Sequence, residues 1–338
     1  MNKKKIAILS IASLVTLFLT GCNSTRGTDN SNVVSQRYIH KYGYAVSKQD
    51  WDAKQFPGQV ITTLKNGVTI TASYENGTLN GPSTYTFPHS QVVESYFLYN
   101  QGSLVKEAKY DSRGIPLKET TQITPTRYTT KLWYAEGTPM SIEDRVGEEL
   151  MEGEYFTVNN EVESKIEKGN GLRIKRDALG TLLSKDKFLR GYLVKKESFY
   201  SSGTPESVAH FQKGIPHGEK KVFAQNGEPL ALEEYINGKL HGKCTYFKNG
   251  SKFHEVSYIG GRKNGKEVHY LDGEKLSQEI CWNDDLQHGA CTYYIEGEPR
   301  TKWYYEGQEI SQKRFKEMDK LDDMIGKISG TLRETSVR

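Results

Sequence analysis

The feature that most constrains the fold is a turn signal that returns every 22 to 25 residues along most of the chain. One series of turn residues consists of Gly77, Gly102, Gly147, Gly169, Gly191, Gly214, Gly238, Gly261, Asp285 and Gly307, with Pro125 in its one gap. A second series consists of Gly67, Gly114, Gly137, Asn160, Gly180, Gly203, Gly227, Gly250, Gly273 and Gly297. Two interleaved series of one period indicate that a hairpin-sized unit has been copied about ten times. The pattern therefore predicts an extended repeat array rather than a compact enzyme.

Each unit is predicted to hold two short strands, because only seven or eight residues separate one turn from the next. Asn249-Gly250 is a strong signal for a type I′ turn, which needs positive φ at both positions, and Asn226-Gly227 is predicted to repeat it. Turns of the first series often follow a Gly-x-x-x-Gly pattern, as in Gly238 to Gly242. The glycine spacing predicts wider loops at these turns.

Aromatic residues recur in step with the turns. An aromatic column, three residues before turns of the first series, consists of Tyr74, Tyr99, Phe188, Phe211, Tyr235, Tyr258, Trp282 and Tyr304. Gln122, Asp144 and Ile166 interrupt it midway. Adjacent pairs such as Tyr246-Phe247 lie on the other strand, and neighbours in a strand point to opposite faces. Both faces are therefore predicted to carry aromatic rows, in which each cross-strand pair contributes roughly 0.2 to 1 kcal/mol.

Two segments carry a resemblance to a known family. Residues 211–227 and 235–250 both contain Gly-x-x-His-Gly followed by a short strand and Asn-Gly, and they resemble the bacterial variant of the MORN repeat. The resemblance is strong over residues 185–310, moderate around 67–86 and weak at 87–184. It implies an all-β fold, an elongated single-layer antiparallel β-meander, with no shared catalytic residues. Many bacterial relatives are labelled as antitoxin components.

Residues 1–21 are predicted to form a lipoprotein signal peptide. Lys3 to Lys5 precede a 14-residue apolar run from Ile6 to Leu19, which is too short to span a bilayer. Residues 19–22, Leu-Thr-Gly-Cys, are similar to the bacterial lipobox, and this resemblance implies that Cys22 is acylated and becomes the mature N-terminus. A plain signal peptide with an unrelated cysteine is the alternative.

Three further segments are predicted after the signal peptide. Residues 22–45 form a flexible tether, since its first part is rich in Ser, Thr, Asn and Gly. Residues 46–310 form the repeat array, and residues 311–338 form an amphipathic helix and tail. The predicted location is the bacterial cell envelope, with the chain held to a membrane by its N-terminal lipid. Asn23 after Cys22 favours the periplasmic side of the outer membrane if the cell has two membranes.

The charge pattern argues against a nucleic-acid partner. The formal net charge is +4, and the signal peptide contains three lysines and no acidic residue, so the mature chain carries +1. Its charges are interspersed, whereas a nucleic-acid-binding protein concentrates Lys and Arg on one face. The hydrophobic content of 36% includes many tyrosines, which suits a thin sheet with both faces in water.

Three cysteines remain after Cys22. Cys281 and Cys291 lie at equal distances from Leu286, so a symmetric hairpin would place them directly opposite each other. Directly opposite Cβ atoms lie about 4.5 to 5.5 Å apart, slightly long for a disulfide, whereas an exported location favours the bond. A disulfide and a pair of buried thiols therefore both stay open. Cys244 lies four strands away and is predicted to be unpaired.

The turn histidines do not predict a metal site. His217, His241 and His288 stand near the second glycine of the wide loops, where Asn80 and Asn264 stand in other copies. A shared tolerance of left-handed backbone angles would explain this interchange. Equivalent positions in neighbouring copies are about 10 Å apart, too far to share one ion. No metal, cofactor or catalytic residue is predicted, because no nucleophile elbow, phosphate-binding loop or spaced acid/base pair is present.

The sequence pattern changes period after Gly307. Apolar residues then follow a helical spacing of three or four at Phe315, Met318, Leu321, Ile325 and Ile328. This amphipathic helix is predicted to cover the last strand, because repeat arrays must protect their terminal edge. A partner-binding helix is the alternative. Trp51 and Phe56 are predicted to supply the matching N-terminal cap.

Three function classes remain. The leading one is a non-catalytic, lipid-anchored envelope scaffold that binds a protein or a glycan along an aromatic, strand-rich face. The second is an antitoxin-like or immunity protein that binds one toxin, as the family label suggests. The third is an envelope enzyme with its site in residues 115–185, where the repeats degrade. That region contains glutamates such as Glu148 and Glu152 but no histidine, which counts against the enzyme.

Overall fold

A computed structural model of the protein describes residues 32–335. It places 27 strands of that range in one open sheet, followed by a C-terminal helix. The predicted all-β fold, a long single-layer antiparallel meander with a terminal helix, is therefore confirmed. The predicted signal peptide and Cys22 lie outside the described residues.

The elements follow one another along the chain with short turns between them. The N-terminal half contains β1 (Val33–His40), β2 (Ala45–Val46), α1 (Lys48–Lys54), β3 (Gly58–Leu64), β4 (Thr69–Glu75), β5 (Thr78–Thr86), β6 (Val93–Asn100), β7 (Ser103–Tyr110), β8 (Pro116–Gln122), β9 (Arg127–Trp133), β10 (Pro139–Val146), β11 (Glu149–Phe156), β12 (Val162–Glu167) and β13 (Asn170–Arg176). The C-terminal half contains β14 (Leu182–Leu189), β15 (Tyr192–Phe199), β16 (Pro205–Gln212), β17 (Ile215–Phe223), β18 (Pro229–Ile236), β19 (Lys239–Leu240), β20 (Gly242–Lys248), β21 (Ser251–Ile259), β22 (Arg262–Leu271), β23 (Lys275–Asn283), β24 (Leu286–Gln287), β25 (Gly289–Ile295), β26 (Glu298–Tyr305), β27 (Gln308–Ile310) and α2 (Gln312–Thr335).

Strand order in the sheet follows strand order in the chain from β3 onward, whereas the N-terminal end is ordered β2-β1-β3. From β3 onward neighbouring strands are hydrogen-bonded and always antiparallel, apart from the short strands β19 and β24. The short strands β19 and β24 are the first residues of interrupted strands, because β18 pairs with both β19 and β20 and β23 pairs with both β24 and β25. This consecutive pairing is what two-strand repeats with short turns require.

Turns of the first series are tight, so the prediction of wide loops there is wrong. Asn237 and Gly238 have φ angles of 50° and 79°, and Gly260 and Gly261 have 60° and 90°. Positive φ at two successive residues is the mark of a two-residue type I′ turn. The second glycine of the Gly-x-x-x-Gly pattern lies within or beside the next strand. Gly242, for example, is the first residue of β20 and pairs with Tyr258.

Turns of the second series are of two kinds. Asn249 and Gly250 have φ angles of 51° and 75°, which confirms the predicted type I′ turn. At Asn226-Gly227 only Gly227 has positive φ, 86°, so the prediction that this pair repeats the same turn is wrong. Here the Ala224 amide bonds the Glu228 carbonyl and the Gly227 amide bonds the Ala224 carbonyl. That pattern is typical of a three-residue loop with one left-handed glycine.

Successive turns of the first series are joined by backbone hydrogen bonds, and we term this line of stacked turns the turn row. The Gly238 amide donates to the Pro216 carbonyl at 2.8 Å, and the Gly261 amide donates to the Leu240 carbonyl at 2.8 Å. Equivalent bonds join Gly102 to Leu79, Gly214 to Leu193, Asp285 to Lys263 and Gly307 to Gln287. Each turn therefore contacts the preceding copy outside the strand ladder.

The best-packed part of the sheet lies where the repeat pattern in the sequence is weakest. Leu150, Tyr155, Ile166 and Phe188 form a buried cluster, with 0%, 2%, 1% and 5% of their surface exposed. They lie in β11, β12 and β14, largely within residues 115–185. Apolar burial is the main stabilising contribution to a fold, so this region is a structural centre of the array.

The N-terminal end of the sheet begins earlier than predicted. β1 pairs with β3 from Val33 to His40 and with β2 on its other edge, so the part of the predicted tether from residue 33 to residue 45 belongs to the sheet. The polar composition that favoured a tether is that of an edge strand with exposed side chains. α1 lies against this end, and Trp51 is buried with its ring edge-on to Tyr74 at 6.3 Å. The prediction that Trp51 contributes to an N-terminal cap is confirmed.

The C-terminal helix packs on the sheet through its first turns. Phe315 contacts the rings of Trp303 and His288 at 5.1 and 5.3 Å, and the Tyr305 hydroxyl donates to Asp322 at 2.6 Å. Farther along α2, the predicted apolar stripe is not covered, since Leu321, Met324 and Ile325 are exposed. Among the described helices, neither is long and apolar enough to span a membrane.

Candidate binding surface

The aromatic column lies opposite glycines of the preceding strands. Gly218 pairs with Tyr235, Gly242 with Tyr258, and Gly265 with Trp282. The same pairing joins Gly58 to Tyr74, Gly81 to Tyr99, Gly171 to Phe188 and Gly289 to Tyr304. A Cβ on Gly242 would lie 3.9 Å from Glu234 in β18, and no atom of the Tyr258 ring lies within 4 Å of it. The second glycine of each pattern is explained by its positive φ, which is 91° at Gly218, 75° at Gly242 and 96° at Gly265.

Several rings of the column are covered by cations of the same chain. Arg173 lies 4.8 Å from the ring of Phe188, and Lys263 lies 4.6 Å from the ring of Trp282. Lys220 lies in the same way over Tyr235, at 5.9 Å. No member of the column is exposed: Phe188 is buried and the other seven are half-buried. The column therefore contributes to the packing of the sheet, and cations lie over three of its eight rings.

Exposed aliphatic side chains lie on the turn row instead. Five of them, which we term the apolar ridge, flank five consecutive turns and are 40% to 54% exposed: Leu189, Ile215, Ile236, Ile259 and Leu286. Each occupies the position just before or just after a two-residue turn. Residues at these two positions pair directly, as Ile259 does with Arg262. Paired residues share one face of a hairpin, so all five side chains project to the same side.

Two side chains of the ridge reach the next turn of the turn row. The Cγ2 atom of Ile215 lies 3.3 Å from the position that a Cβ would take on Gly238, and Leu286 approaches Gly307 at 3.7 Å. Ridge side chains therefore extend over the glycine of the next turn. This close approach continues the contact that the backbone hydrogen bonds make between the same turns.

Basic residues border the apolar ridge. Arg190 and Lys213 stand in its turns, and Lys239 pairs with Ile236. Within residues 32–335 none of these three cations has an ion-pair partner, whereas Arg262 lies 3.5 Å from Asp284. The ridge thus combines apolar contact points with unneutralised positive charge.

The turn histidines and asparagines share a hydrogen-bonding role. Asn80 Oδ1 accepts a bond from the Gln101 amide at 3.2 Å, and His217 Nδ1 accepts one from the Asn237 amide at 3.5 Å. His288 Nδ1 accepts from the next turn in the same way, at 3.5 Å. None of the three has positive φ, so left-handed backbone tolerance is the wrong reason for the interchange. At these three positions Asn and His both place an acceptor where the next turn has an amide, whereas His241 and Asn264 make no such bond within residues 32–335.

The predicted symmetric register of the two C-terminal cysteines is wrong. Gln278 pairs with Tyr293 and Glu279 with Thr292, so the next residues in this register are Ile280 and Cys291. A one-residue offset places Cys281 on the other face. The structure records Cys244, Cys281 and Cys291 as free thiols, and burial raises the pKa of each.

Residues 115–185 hold ordered strands with ion pairs between them. Arg173 bonds Asp186 at 2.7 Å, and Arg176 bonds Glu163 at 2.6 Å. The hydrogen bond from Arg176 lowers the pKa of Glu163. Burial, with the neighbouring Glu143 carboxylate, raises the pKa of Tyr155. These contacts join neighbouring strands around the buried cluster, which is a structural role.

One buried carboxylate ties together β20, β21 and β22. Glu255 accepts bonds from Lys243 at 2.8 Å, from the Tyr270 hydroxyl at 2.7 Å and from Lys252 at 3.2 Å. Burial alone would raise the pKa of Glu255, but these three donors outweigh it and lower the pKa to about 2. Burial and the bond to Glu255 raise the pKa of Tyr270 to about 12.

A second cluster, which the sequence did not predict, lies on the face that carries the aromatic column. His254, Glu267 and His269 place their donor atoms within 4.8 Å of one another. Glu267 and His269 are two residues apart on one strand, and a Glu-x-His pattern in a strand is the signal that could have pointed to them. His254 is 13 residues from Glu267 and joins the cluster only through the strand register.

Comparison with protein-family models gave no match for this chain, and comparison with curated proteins gave none either.

Proposed function

We propose that this protein is a non-catalytic, lipid-anchored scaffold of the bacterial cell envelope that binds a protein partner along the apolar ridge. The ridge is the observation that carries the proposal. Five exposed aliphatic side chains recur beside five consecutive turns, and clustered exposed apolar side chains are typical of protein–protein contact sites. A long row of regularly spaced positions is the kind of surface that repeat proteins use for binding.

The chemistry of the surface favours a protein partner over a glycan. Glycan binding through aromatic stacking needs open ring faces, whereas the column is buried or half-buried and cations cover rings such as Phe188 and Trp282. The ridge offers aliphatic contacts beside Arg190, Lys213 and Lys239, which have no ion-pair partner within the described residues. An apolar segment with acidic residues fits this combination, because opposite charges at the rim of an apolar interface steer and align the partner.

Membrane anchoring through Cys22 is the second part of the proposal. It is supported by the lysines, the short apolar run and the lipobox-like residues 19–22. Replacing Cys22 with Ser should abolish acyl labelling. It should also release the protein from the membrane fraction, because stable anchoring depends on the acyl chains that Cys22 carries. A Cys281→Ser variant is the matched control and should stay membrane-bound. Unchanged membrane association of Cys22→Ser would refute the anchor.

A relation to the bacterial MORN variant belongs to the same proposal. It is supported by the Gly-x-x-His-Gly segments and by the role of their parts in the structure. In residues 211–227 the first glycine forms the turn, His217 accepts a bond from the next turn, and Gly218 faces Tyr235.

The ridge is tested by substitution at two of its positions. The double variant Ile236→Lys with Ile259→Lys should lose the partner that wild-type protein captures from envelope extracts, because it places two charges within the apolar row. The control carries Phe253→Lys with Leu271→Lys, two exposed apolar residues beside the second turn series, and should retain capture. Equal capture by both variants, or equal loss, would refute the ridge as the binding surface. A single stoichiometric toxin as the captured protein would favour an immunity role.

A further inference from the structure

The cluster of His254, Glu267 and His269 has a geometry that a hydrogen-bond network alone does not require. The Nε2 atoms of both histidines lie 2.9 Å from the same oxygen, Oε1 of Glu267. The two imidazole rings are stacked, with centroids 4.4 Å apart and planes inclined by 20°. Two imidazole nitrogens and one carboxylate oxygen therefore converge on one point.

Strand register holds the three side chains together. His254 in β21 pairs directly with His269 in β22, so both rings lie on one face of the sheet. Glu267 precedes His269 by two residues and points to that same face. Tyr246 stacks on His254 at 5.5 Å and Phe253 lies edge-on to His269 at 6.4 Å, which restrains the orientation of both rings.

The remaining oxygen of the carboxylate is already occupied. Lys263 Nζ lies 2.6 Å from Oε2 of Glu267, and the side chain of Glu267 is 5% exposed. Oε1 is thus left to the two histidines, in a fixed position. The histidine side chains are 18% and 27% exposed, so solvent and ions reach the cluster from one side.

We propose that His254, Glu267 and His269 form a binding site for Zn²⁺, with Nε2, Oε1 and Nε2 as its ligands. Two imidazoles and one carboxylate are a common set of three protein ligands for zinc, and they leave a fourth position for water. At metal–ligand distances of about 2.0 to 2.2 Å, tetrahedral geometry places ligand atoms about 3.3 Å apart. The present separations between Oε1 and each Nε2 are 2.9 Å and need to widen by only a few tenths of an ångström, and the two Nε2 atoms lie within 4.8 Å of each other. The nitrogen donors disfavour Mg²⁺ and Ca²⁺, which take oxygen ligands.

This site is distinct from the apolar ridge. The cluster lies on the strands β21 and β22, on the face of Trp282, whereas the ridge follows the turns. The inference therefore goes beyond the proposed function, and zinc binding and partner capture are tested by separate measurements.

The test is equilibrium dialysis of the purified full-length protein, prepared without a histidine tag, against Zn²⁺. Wild-type protein should bind one equivalent. The variants His269→Ala and Glu267→Gln should each weaken binding at least tenfold, since each removes one of three ligands. His241→Asn, a change at a turn histidine outside the cluster, is the matched control and should bind as wild type. Binding that survives both cluster variants, or no stoichiometric binding by wild type, would overturn the site.

A spectroscopic readout on unmutated protein covers the case in which a variant fails to fold. Co²⁺ in place of Zn²⁺ should give the visible bands of a nitrogen- and oxygen-ligated ion without a thiolate charge-transfer band. A thiolate band would assign the metal to Cys244, Cys281 or Cys291 and would contradict the proposal. Melting temperatures of the apo variants, compared with wild type, show whether each is folded under the dialysis conditions.

Discussion

Because neighbouring turns are in contact, we predict that two similar glycine substitutions change the stability of the protein by different amounts. Gly169 and Gly102 are both second residues of turns in the turn row, with φ angles of 76° and 80°. A Cβ on Gly169 would lie 2.3 Å from the backbone nitrogen of Gly191, whereas a Cβ on Gly102 meets nothing within 4 Å. The Gly191 amide also donates a hydrogen bond to the Gly169 carbonyl at 2.8 Å. Gly169→Ala must therefore push two turns apart.

The expected loss of stability in each variant is the sum of separate contributions to the free energy of unfolding. Both alanine variants incur about 1 to 2 kcal/mol for the left-handed conformation. Gly169→Ala adds the loss of one hydrogen bond, about 0.5 to 1.5 kcal/mol, and overpacking strain of about 1 to 3 kcal/mol. We expect Gly169→Ala to destabilise the protein by about 3 kcal/mol more than Gly102→Ala.

Urea denaturation followed by circular dichroism measures the difference for the whole array. Because long repeat arrays do not always unfold in one step, amide hydrogen exchange at Gly191 supplies the local measurement. Exchange there should accelerate in Gly169→Ala and stay unchanged in Gly102→Ala. Equal losses of stability in the two variants, with no change in exchange at Gly191, would refute the account of stacked turns.

Three further predictions concern packing, turn caps and pH. Leu150→Ala should lower the free energy of unfolding in urea by about 2 to 5 kcal/mol because Leu150 is fully buried. Truncating the half-buried Tyr258 to Ala should lower it by about 3 kcal/mol. A negligible loss of stability in Leu150→Ala would contradict the assignment of the core. His217→Asn should leave the melting temperature nearly unchanged, whereas His217→Ala should cost about 1 kcal/mol, since only Asn restores an acceptor for the next turn. Because the pKa of Glu255 is lowered from 4.5 to about 2, its contribution to stability is complete above pH 4.5 and declines as the pH falls through 2. Urea midpoints measured across this range should show a smaller acid-dependent loss in Glu255→Gln than in wild type.

The repeat architecture could be predicted from the sequence because turn residues report local backbone geometry. The turn types were harder to predict, as the Gly-x-x-x-Gly pattern shows. Its first glycine supplies positive φ in a two-residue turn, while its second, such as Gly242 with a φ of 75°, supplies positive φ within or beside the next strand. Both roles select glycine, so spacing alone suggested a loop where the chain continues as a strand.

The N-terminal boundary of the sheet could not be predicted from local composition, because β1 pairs with β3, which is distant in sequence. Residues such as Gln36 and Arg37 are polar and exposed, and by composition they resemble a linker. They form a strand because their backbone groups pair with β3, opposite Thr62 and Ile61. Composition does not report such pairing, since an edge strand needs no apolar face of its own.

The candidate surfaces were the least accessible to sequence reasoning. Aromatic residues suggested a binding face, but whether a ring is open depends on the cation above it, as Lys263 over Trp282 shows. The ridge positions are single aliphatic residues beside turns and have no motif. The convergence of His254 with Glu267 depends on which residues of β21 and β22 stand opposite each other, which the turn between them and its neighbouring bulges determine.

Pairing between strands that are close in sequence also bears on how the chain reaches its fold during synthesis. From β3 onward each new strand finds a partner among the strands made just before it, so it does not wait for a partner that has yet to emerge. Contacts of short sequence separation form quickly, and domains fold from the N-terminus as the chain lengthens. At every intermediate length, however, the newest strand offers an open edge to other growing chains. The last segment to emerge is α2, which packs beside this end of the sheet through Phe315 and Trp303. We therefore expect a chain truncated before α2 to aggregate although every strand it contains is paired.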